Sequence, residues 1–437
     1  MEEKKTFGGR LADIWNKTLN LKGDKVIVII VLLLILISFL AIFSSTPLLP
    51  SQESRLGTMR DHGLVALFGI GLMILLYHFE IKWLKYLSQI GFILSFIMLS
   101  MLMLKVDFGF IRAETINGAT RNFSLFGMQI HVFEIVKVAM VMYLAWAMTA
   151  INEDKQARKE QRKSETLSLA NWLATKHPKL KPLKKTIWKR VIYVYIPSLI
   201  VIGMLFIGSG SSSILTFLVL VAVMIIGGMP FKELAIAGTV GVCIIGTMIG
   251  IYYASDHKYC VRAGTFVNRL LTDYDMDSLE GLKGDAYYNM LDEIRQPESA
   301  KVAVHEGKIL GKGIGNSTQK YKVDNIYGDY MYSFLIEEYG LIGGIIVIML
   351  YVSLLARSAI IARKCENDFE KYAIGGLAVL ISGQAFLHIL VNVDIGPMTG
   401  QTLPLISHGS SAFLVFCIAF GIILSISRLA NKSSYEV

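Results

Sequence analysis

Long apolar runs recur along this chain from near its start to near its end, and most of the polar connections between them are short. A helix that crosses the hydrocarbon core of a bilayer needs about twenty such residues. Ten helices are predicted, although three of the runs are short enough that nine or eleven would also fit. The runs lie at residues 26–46, 63–79, 86–104, 131–150, 191–208, 211–228, 234–254, 330–355, 372–391 and 409–429. The pattern therefore predicts an all-α polytopic membrane protein with about ten transmembrane helices.

The composition agrees with this class, because 54% of the 437 residues are hydrophobic and only 18% are charged. One polar stretch, residues 255–329, is much longer than the other connections on its side of the predicted bundle. Irregular backbone cannot face lipid, so this stretch must lie in water or line a cavity. Loops on a rigid scaffold often carry function, and we expect the chemistry here.

The net charge of +9 is unevenly placed, with clusters of lysine and arginine in residues 1–25 and 151–190. Such clusters mark cytoplasmic segments. We therefore expect cytoplasmic tails at 1–25 and 430–437, one membrane domain over 26–429, and an extracytoplasmic loop at 255–329. The basic connection is interpreted as a topology signal that also attracts anionic lipid. No nucleic-acid-binding motif accompanies it, so nucleic acid is not an expected partner.

Several common catalytic motifs are absent from the chain. It contains no Walker A loop, no HExxH and no GxSxG. ATP-driven transport and catalytic zinc in a recognisable form are therefore not indicated. Of the four cysteines only Cys260 falls in the long outer loop, so no disulfide framework is predicted.

The first candidate site lies within residues 299–344. Here a run of glycines is accompanied by four lysines, Lys301, Lys308, Lys312 and Lys320. Glycines let backbone N–H groups approach an anion and lysines neutralise it, as a pyrophosphate group would require; a solvated turn is the alternative. Glu337 and Glu338 follow inside an apolar helix, where ionisable groups are costly and usually paired or functional. The alternative for them is a helix end near water.

Two further stretches combine polar residues with membrane segments. In residues 392–411, Pro397, Pro404 and three glycines interrupt the helical pattern between two apolar runs. This predicts a non-helical segment that lines a cavity, rather than an exposed loop, since Leu403, Leu405 and Ile406 are apolar. In the second stretch, Glu134 and Lys137 are three residues apart, share a helix face and can form a structural ion pair.

Together these stretches resemble the SEDS family (shape, elongation, division and sporulation), the FtsW/RodA/SpoVE peptidoglycan glycosyltransferases, from about residue 26 onward. The segment ending at Ser411 resembles N…G…P-x-T-G-x-x-L-P-x-x-S-Y-G-G-S-S, with His408 for Tyr and Ser410 for the second Gly. Residues 307–320 resemble G-x-x-G-x-G-x-G-N-S-x-Q-K, in a form more similar to the division member FtsW than to the elongation member RodA. Further similarities are Gly118, Ala119 and Arg121 to G-A-x-R, Glu134 and Lys137 to S-E-x-x-K, and Asp329, Glu337, Glu338 and Gly340 to D-F-x-x-x-x-x-x-E-E-x-G.

The resemblance implies an enzyme of the cytoplasmic membrane that polymerises lipid II at its outer face during cell division, at the septum. A loop carboxylate would be the general base, and cations would stabilise the departing pyrophosphate. The residues assigned to substrate and pyrophosphate binding are Arg121, Arg269, Lys301, Lys312, Asn316, Ser317, Lys320, Glu338, Thr399, Ser407 and His408. No cofactor is certain, and a divalent cation, Mg²⁺ or Mn²⁺, is an open alternative. The implied partners are a class B penicillin-binding protein, a single-span transpeptidase, and other division proteins.

The chain differs from the family in the motif that contains the general base. In the family the base is the Asp of D-P-x-G-x-G-Y-Q, a string that this chain lacks. Counting back from the glycine run reaches Asn289, and Asp292 fits if the glycine-containing turn is three residues shorter here. Counting forward from Arg269 favours Asp275 or Asp277 instead. We take Asp292 as the first candidate base and Asp277 as the second. Residues 208–213 also lack the Asp of the family's P-D-x-G-[ST]-A, although a serine there can cap a helix.

Other functions fit part of the pattern. A lipid II flippase or another transporter would also contain charged residues within membrane helices. A non-catalytic scaffold for a transpeptidase would tolerate the missing base motif, and an elongation polymerase would differ only in its cellular role.

Overall fold

The computed structural model describes residues 23–46, 55–109, 111–116, 119–125, 128–160, 185–255, 264, 267, 284–322, 326–396 and 399–433. In chain order the elements are α1 (Lys25–Ser45), α2 (Arg55–Tyr77), α3 (Ile81–Met103), β1 (Ile111–Ile116), β2 (Ala119–Leu125), β3 (Met128–His131), α4 (Val132–Lys159), α5 (Thr186–Gly208), α6 (Gly210–Ile226), α7 (Phe231–Ala254), α8 (Asp285–Gly307), α9 (Met331–Lys364), α10 (Asp368–Asn392) and α11 (Ser410–Ser433).

The predicted all-α membrane architecture is confirmed. Nine of the described helices are long and apolar enough to cross a membrane, and α6, with 17 residues, is a shorter apolar helix. These ten elements coincide with the ten predicted runs, but several extend beyond them. α2 begins at Arg55 rather than near residue 63, and α4 continues to Lys159. The added turns are polar, and hydropathy alone does not detect helix outside the apolar core.

An antiparallel three-stranded sheet, which the hydropathy pattern does not predict, separates α3 from α4. Its order is β1-β2-β3, and Phe123 on the central strand is buried. The dipeptide Asn117-Gly118 between β1 and β2 is a strong hairpin signal in its own right, besides being part of a family motif.

The polar stretch 255–329 also contains a helix, α8.

Helix α4 lies at the centre of the bundle and is the most buried of the described apolar helices, packed against α3, α6 and α10. α7 is the least buried of them and lies at the periphery. α2 and α11 pack closely through small residues, since a Cβ on Gly69 would lie 2.7 Å from Cys417 Sγ. Close backbone approach at small residues is typical of helices that associate in membranes.

Several helix starts are fixed by local hydrogen bonds. The carboxylate of Asp24 accepts from the backbone N–H groups of Val26 and Ile27 at the start of α1. Ser209 caps α6 by accepting from the N–H of Ser212 at 3.3 Å. The serine cap predicted for this turn is therefore confirmed.

At the end of the bundle opposite the sheet, a buried ion pair joins α4 to α5. Lys189 Nζ lies 2.8 Å from Asp154 Oδ2, and both side chains are at most 2% exposed. Arg158 also contacts this carboxylate at 2.8 Å. Ionised groups are buried only when paired, so this contact fixes α5 against the central helix.

Replacing Asp154 by alanine should lower the free energy of unfolding by about 3–5 kcal/mol, because Lys189 would remain buried without its carboxylate. The measurement is the thermal or denaturant unfolding of the purified protein in detergent. Asp61→Ala is the control, since the Arg60–Asp61 pair is largely exposed. Equal stability of the two variants would contradict the structural role of Asp154.

Candidate active site

The candidate site lies at the end of the bundle that carries the sheet, called here the loop end. α1 ends there, α4 and α9 begin there, and the described residues of two connections, from α8 to α9 and from α10 to α11, pack there. Two polar clusters lie at this end, one around Lys137 and one around Glu337 and Glu338.

Lys137 is the centre of the first cluster. Its ammonium group is completely buried and donates to Glu134 Oε1 at 2.7 Å, Gln384 Oε1 at 2.5 Å and Gln401 Oε1 at 2.9 Å. An ammonium group has three protons, and each of them has an acceptor here. Glu134 and Lys137 therefore form an ion pair that also includes α10 and the segment after it.

The two side-chain amides that contact Lys137 are oriented by hydrogen bonds of their own. Gln401 Nε2 donates to Ser212 Oγ at 2.8 Å, and Gln384 Nε2 donates to the carbonyl of Thr402 at 3.1 Å. Both amide oxygens are thus directed at the ammonium. The start of α6, where the family's Asp is missing, takes part in the cluster through Ser212.

In the segment after α10, residues 403–407 are buried, as the apolar residues there predict, whereas Asp394, Ile395 and Gly396 are exposed. Leu403, Leu405 and Ile406 are at most 1% exposed. Ser407 Oγ accepts from the N–H of Leu403 at 2.9 Å and donates to the carbonyl of Gly328 at 2.8 Å. These bonds satisfy non-helical backbone away from water, as membrane depth requires.

Arg121 and Asp329 approach this segment at Gly400. A Cβ built on Gly400, whose φ is +61°, would lie 3.7 Å from Arg121 Nη1 and 3.8 Å from Asp329 Oδ2. Arg121 Nε donates to the carbonyl of Gly208 at 3.2 Å, so the end of α5 orients the guanidinium. The positive φ favours glycine at position 400, and Arg121 and Asp329 both lie within contact distance of it, beside Gln401.

His131 lies among these charged groups. Burial lowers the pKa of its imidazole; the carboxylates of Glu134 and Asp329 oppose this shift, and the cations Lys137 and Arg121 add to it. Burial therefore favours the neutral form of the imidazole. The site combines two cations, two carboxylates and one imidazole at the loop end.

The second cluster forms where α9 is interrupted. Gly340 has φ +71° and ψ −175°, and the backbone of the glycine run docks into this break. The N–H groups of Lys312 and Gly313 donate to the carbonyls of Glu337 and Glu338 at 2.8 and 3.0 Å, and the N–H of Leu341 donates to the carbonyl of Lys308 at 2.9 Å. The glycine run thus satisfies backbone groups that the interrupted helix leaves open.

The glycines are needed for this close approach. A Cβ on Gly311 would lie 2.2 Å from the carbonyl oxygen of Glu338, and one on Gly340 would lie 2.2 Å from that of Ile309. Both have positive φ. The sequence pattern predicts an anion cradle here, whereas in the structure these glycines let two protein backbones meet.

The lysines of this region contact protein carboxylates and carbonyls. Lys312 Nζ binds Glu337 at 2.9 Å and also contacts Glu306. Lys320 Nζ donates to the carbonyls of Ser44 and Gly315 at 3.2 and 2.7 Å and lies 4.0 Å from Glu338. Burial disfavours the charge of Lys312, but its hydrogen bonds to the two glutamates outweigh that effect and raise its pKa.

Glu337 and Glu338 are buried and paired, not placed at an exposed helix end. Glu337 accepts from Ser317 Oγ at 2.5 Å and from both the N–H and the hydroxyl of Thr318. Glu338 Oε1 accepts from Ser44 Oγ at 2.7 Å and from the N–H of Gly315 at 3.0 Å. These carboxylates tie the glycine run to α1 and α9.

The other candidate residues are more scattered. Lys301 is partly exposed and pairs with Glu298 and Asp394, and these bonds raise its pKa. Asn316 is exposed, and its side chain donates to the carbonyl of Lys312. Binding of substrate by either residue stays a prediction.

Two further candidates, Thr399 and His408, lie in the segment after α10, and the last three belong to the long loop. The carbonyl of Thr399 accepts from Ser211 Oγ at 2.8 Å, and the His408 ring lies edge-to-face with Tyr327 at 5.4 Å. Arg269 and Asp277 lie outside the described residues. Asp292 lies on α8, where the backbone but not its side chain is described.

Gln384 and His388 are site residues that the motifs do not reveal, whereas Asn392, the third residue of the same stripe, begins the motif that ends at Ser411. They follow one another at intervals of four on α10 and form a buried polar stripe. His388 Nδ1 lies 2.7 Å from the carbonyl of Gln401, and Asn392 Nδ2 donates to that of Asp329 at 3.0 Å. A polar stripe of this period on an apolar helix is the signal that could have revealed them.

Among the described residues, no group of three or more His, Cys, Asp or Glu side chains is arranged to hold a metal ion. The use of a divalent cation therefore stays a prediction. The part of the long loop that contains Asp277 lies outside the described residues.

Gly340→Ala should lower the free energy of unfolding by at least about 2 kcal/mol, because alanine would strain the positive φ and collide with the carbonyl of Ile309. Thermal unfolding in detergent is the measurement. Gly246→Ala on α7 is the matched control, since nothing lies within 4 Å of its Cβ position. A Gly340→Ala protein as stable as the control would refute the docking of the glycine run.

Comparison with known proteins identifies the family of the chain. The FtsW/RodA/SpoVE family model, described as "Cell cycle protein", matches residues 24–432. A probable peptidoglycan glycosyltransferase FtsW of Thiomicrospira cyclica is 25% identical over 98% of this chain and 97% of its own length.

Solved structures share the fold. A peptidoglycan synthase complex, described as showing the structural coordination of polymerization and crosslinking, contains a chain that aligns with a TM-score of 0.63 at 18% identity, over 93% of this chain and 98% of that one. The crystal structure of the rod-shape-determining protein RodA of Thermus thermophilus aligns with a TM-score of 0.57 at 18% identity, over 93% and 97%. Because the family model covers nearly the whole chain, this protein belongs to the FtsW/RodA/SpoVE family.

Proposed function

We propose that this protein is a peptidoglycan glycosyltransferase that polymerises lipid II into glycan strands during cell division. The observation that carries the proposal is the cluster of Arg121, His131, Glu134, Lys137 and Asp329 at the loop end. Of these, Glu134 and Lys137 are buried charges of opposite sign, which are costly in a membrane bundle and mark functional sites. The names of the FtsW relatives support the same chemistry and the role in division.

In the proposed reaction, a hydroxyl oxygen of the acceptor sugar forms a bond to the anomeric carbon of the donor. The bond from that carbon to the pyrophosphate oxygen breaks, and the lipid pyrophosphate leaves with the bonding electron pair. The hydroxyl proton passes to a carboxylate that acts as general base. Asp292, on α8, remains the first candidate for this base, and Asp277 the second.

The two cations of the cluster have different parts in this reaction. Arg121 is partly exposed, so its guanidinium can contact the pyrophosphate directly. Lys137 is completely buried and donates to three protein acceptors. It therefore acts through its positive field and by holding Gln401 in place, in surroundings where that field is weakly screened. A divalent cation, Mg²⁺ or Mn²⁺, would add positive charge at the same leaving group.

The proposal extends to partners and location. One structural neighbour belongs to a complex that coordinates polymerization with crosslinking, which supports a crosslinking partner of the class B penicillin-binding protein type. We further propose that lipid II is the substrate and that other division proteins are partners. The protein would lie at the septum, with both termini in the cytoplasm. The lysine and arginine clusters support that orientation.

A transporter of lipid II is the second candidate, favoured by the charged residues buried in α4 and α9. Polymer formation in detergent separates the two functions, because no transmembrane gradient or second compartment exists there. Glycan polymer from purified protein supports the enzyme, whereas transport in vesicles without polymer in detergent supports the transporter.

Asp292→Ala or Asp277→Ala should reduce polymer formation by at least about 100-fold, because the attacking hydroxyl would lose its base. The measurement is the gel separation of glycan strands made from lipid II by the protein with its crosslinking partner and a divalent cation. Asp107→Ala, an exposed carboxylate outside the cluster, is the control. Full activity in both loop variants would contradict a base at either position.

Lys137→Met should lower kcat for polymer formation by at least about tenfold, because the pyrophosphate would lose a nearby positive charge. Initial rates at several lipid II concentrations separate kcat from KM. Lys85→Met is the control, since Lys85 forms a partly exposed pair with Glu153 near the other end of the bundle. Unchanged kcat in a folded Lys137→Met protein would exclude the proposed role.

A further inference from the structure

Leu405 adopts a backbone conformation that is unfavourable for leucine. Its φ is +62°, in the left-handed region, and its side chain is only 1% exposed. This region costs a residue with a Cβ roughly 1–2 kcal/mol, because the Cβ approaches the following carbonyl. Such strain persists only where the surrounding structure imposes it, and it clusters at functional sites.

Two side chains from neighbouring helices hold the residues on either side of Leu405 by hydrogen bonds. Tyr351 on α9 donates its hydroxyl to the carbonyl of Pro404 at 2.6 Å, and Ser38 on α1 donates to the carbonyl of Ile406 at 3.1 Å. Tyr351 is fully buried. The carbonyl of Tyr351 in turn accepts from Ser382 on α10 at 3.1 Å, which fixes the tyrosine between two helices.

The strained turn is continuous with the candidate active site. Gln401, which contacts Lys137 at 2.9 Å, lies four residues before Leu405. Ser407, two residues after it, donates to the carbonyl of Gly328, the neighbour of Asp329. A change in the turn would therefore move both the amide that holds Lys137 and the chain that carries Asp329.

We propose that Tyr351 is a positioning residue for the glycosyl transfer. Its hydroxyl holds the left-handed turn at Leu405, and the turn holds Gln401 against Lys137 and Asp329 beside Arg121. Tyr351 contacts no reacting atom in this scheme. The inference rests on the proposed function of the Lys137 cluster.

Tyr351→Phe removes only the hydroxyl and should lower kcat for polymer formation by about tenfold or more, since small displacements of positioning groups are costly. KM for lipid II should change little, because the lipid-binding surface stays intact. The matched control is Tyr339→Phe on the same helix, whose buried hydroxyl has no hydrogen-bond partner among the described residues. Equal kcat in the two variants would overturn the proposal.

Relief of the strain should rescue the variant. Leu405→Gly removes the penalty for positive φ, so Tyr351→Phe combined with Leu405→Gly should recover a substantial part of the lost kcat. Leu405→Asn, which also tolerates this region, replaces the glycine variant if the lost side chain prevents folding. If neither substitution raises kcat in the Tyr351→Phe background, the hydroxyl does not act through the turn.

Hydrogen exchange separates this inference from the proposed function. Peptides covering residues 399–407 should exchange faster in Tyr351→Phe than in wild type, and at the wild-type rate in Tyr339→Phe. If wild type makes no polymer but the exchange difference is present, the proposed function fails while the structural coupling stands. If exchange is unchanged in Tyr351→Phe, the positioning role itself is refuted.

Discussion

The structure at the loop end depends on the cost of burying one ammonium group. Lys137 has no access to water, and its charge is tolerated because each proton has an acceptor. The acceptors come from α4 itself, from α10 and from the segment after α10. One side chain thus fixes the relative positions of three parts of the chain, and Gln401 extends the contact to α6.

A second constraint is that backbone groups within a membrane protein must be paired. The break at Gly340 leaves carbonyl and N–H groups of α9 without partners inside the helix, and the backbone of the glycine run forms hydrogen bonds with them. The buried carboxylate of Glu337 then binds Lys312 and Ser317 of the same run, and that of Glu338 binds Ser44 on α1. Backbone pairing and charge pairing therefore act at one place, and they connect the long loop to the helices that surround the candidate site.

Much of the fold could be predicted from the sequence, because apolar runs of membrane-spanning length have few alternatives. The ten apolar helices and the buried segment around Leu403 follow directly from hydropathy and from helix-breaking residues. The three-stranded sheet was missed because its strands are short and mixed in polarity, even though Asn117-Gly118 signals a hairpin.

The site was only partly predictable, because the same residue types serve different contacts. Lysines beside glycines suit an anion, yet Lys312 and Lys320 contact carboxylates and carbonyls of the protein. Whether these lysines face a ligand or the protein depends on how α9 packs against the glycine run. The sequence around the lysines does not contain that information. Gln384 was missed for a related reason, since its partner Lys137 lies on a distant segment.

The break in α9 also has a consequence for the order in which the chain is made. The glycine run precedes α9, and Ser44, which binds Glu338, precedes both. When α9 emerges during synthesis, the segments that satisfy its open backbone and its buried carboxylate already exist. The second half of α9 can therefore enter the membrane when the glycine run and α1 are already available to bind it. The order of synthesis thus matches the order in which these contacts can form.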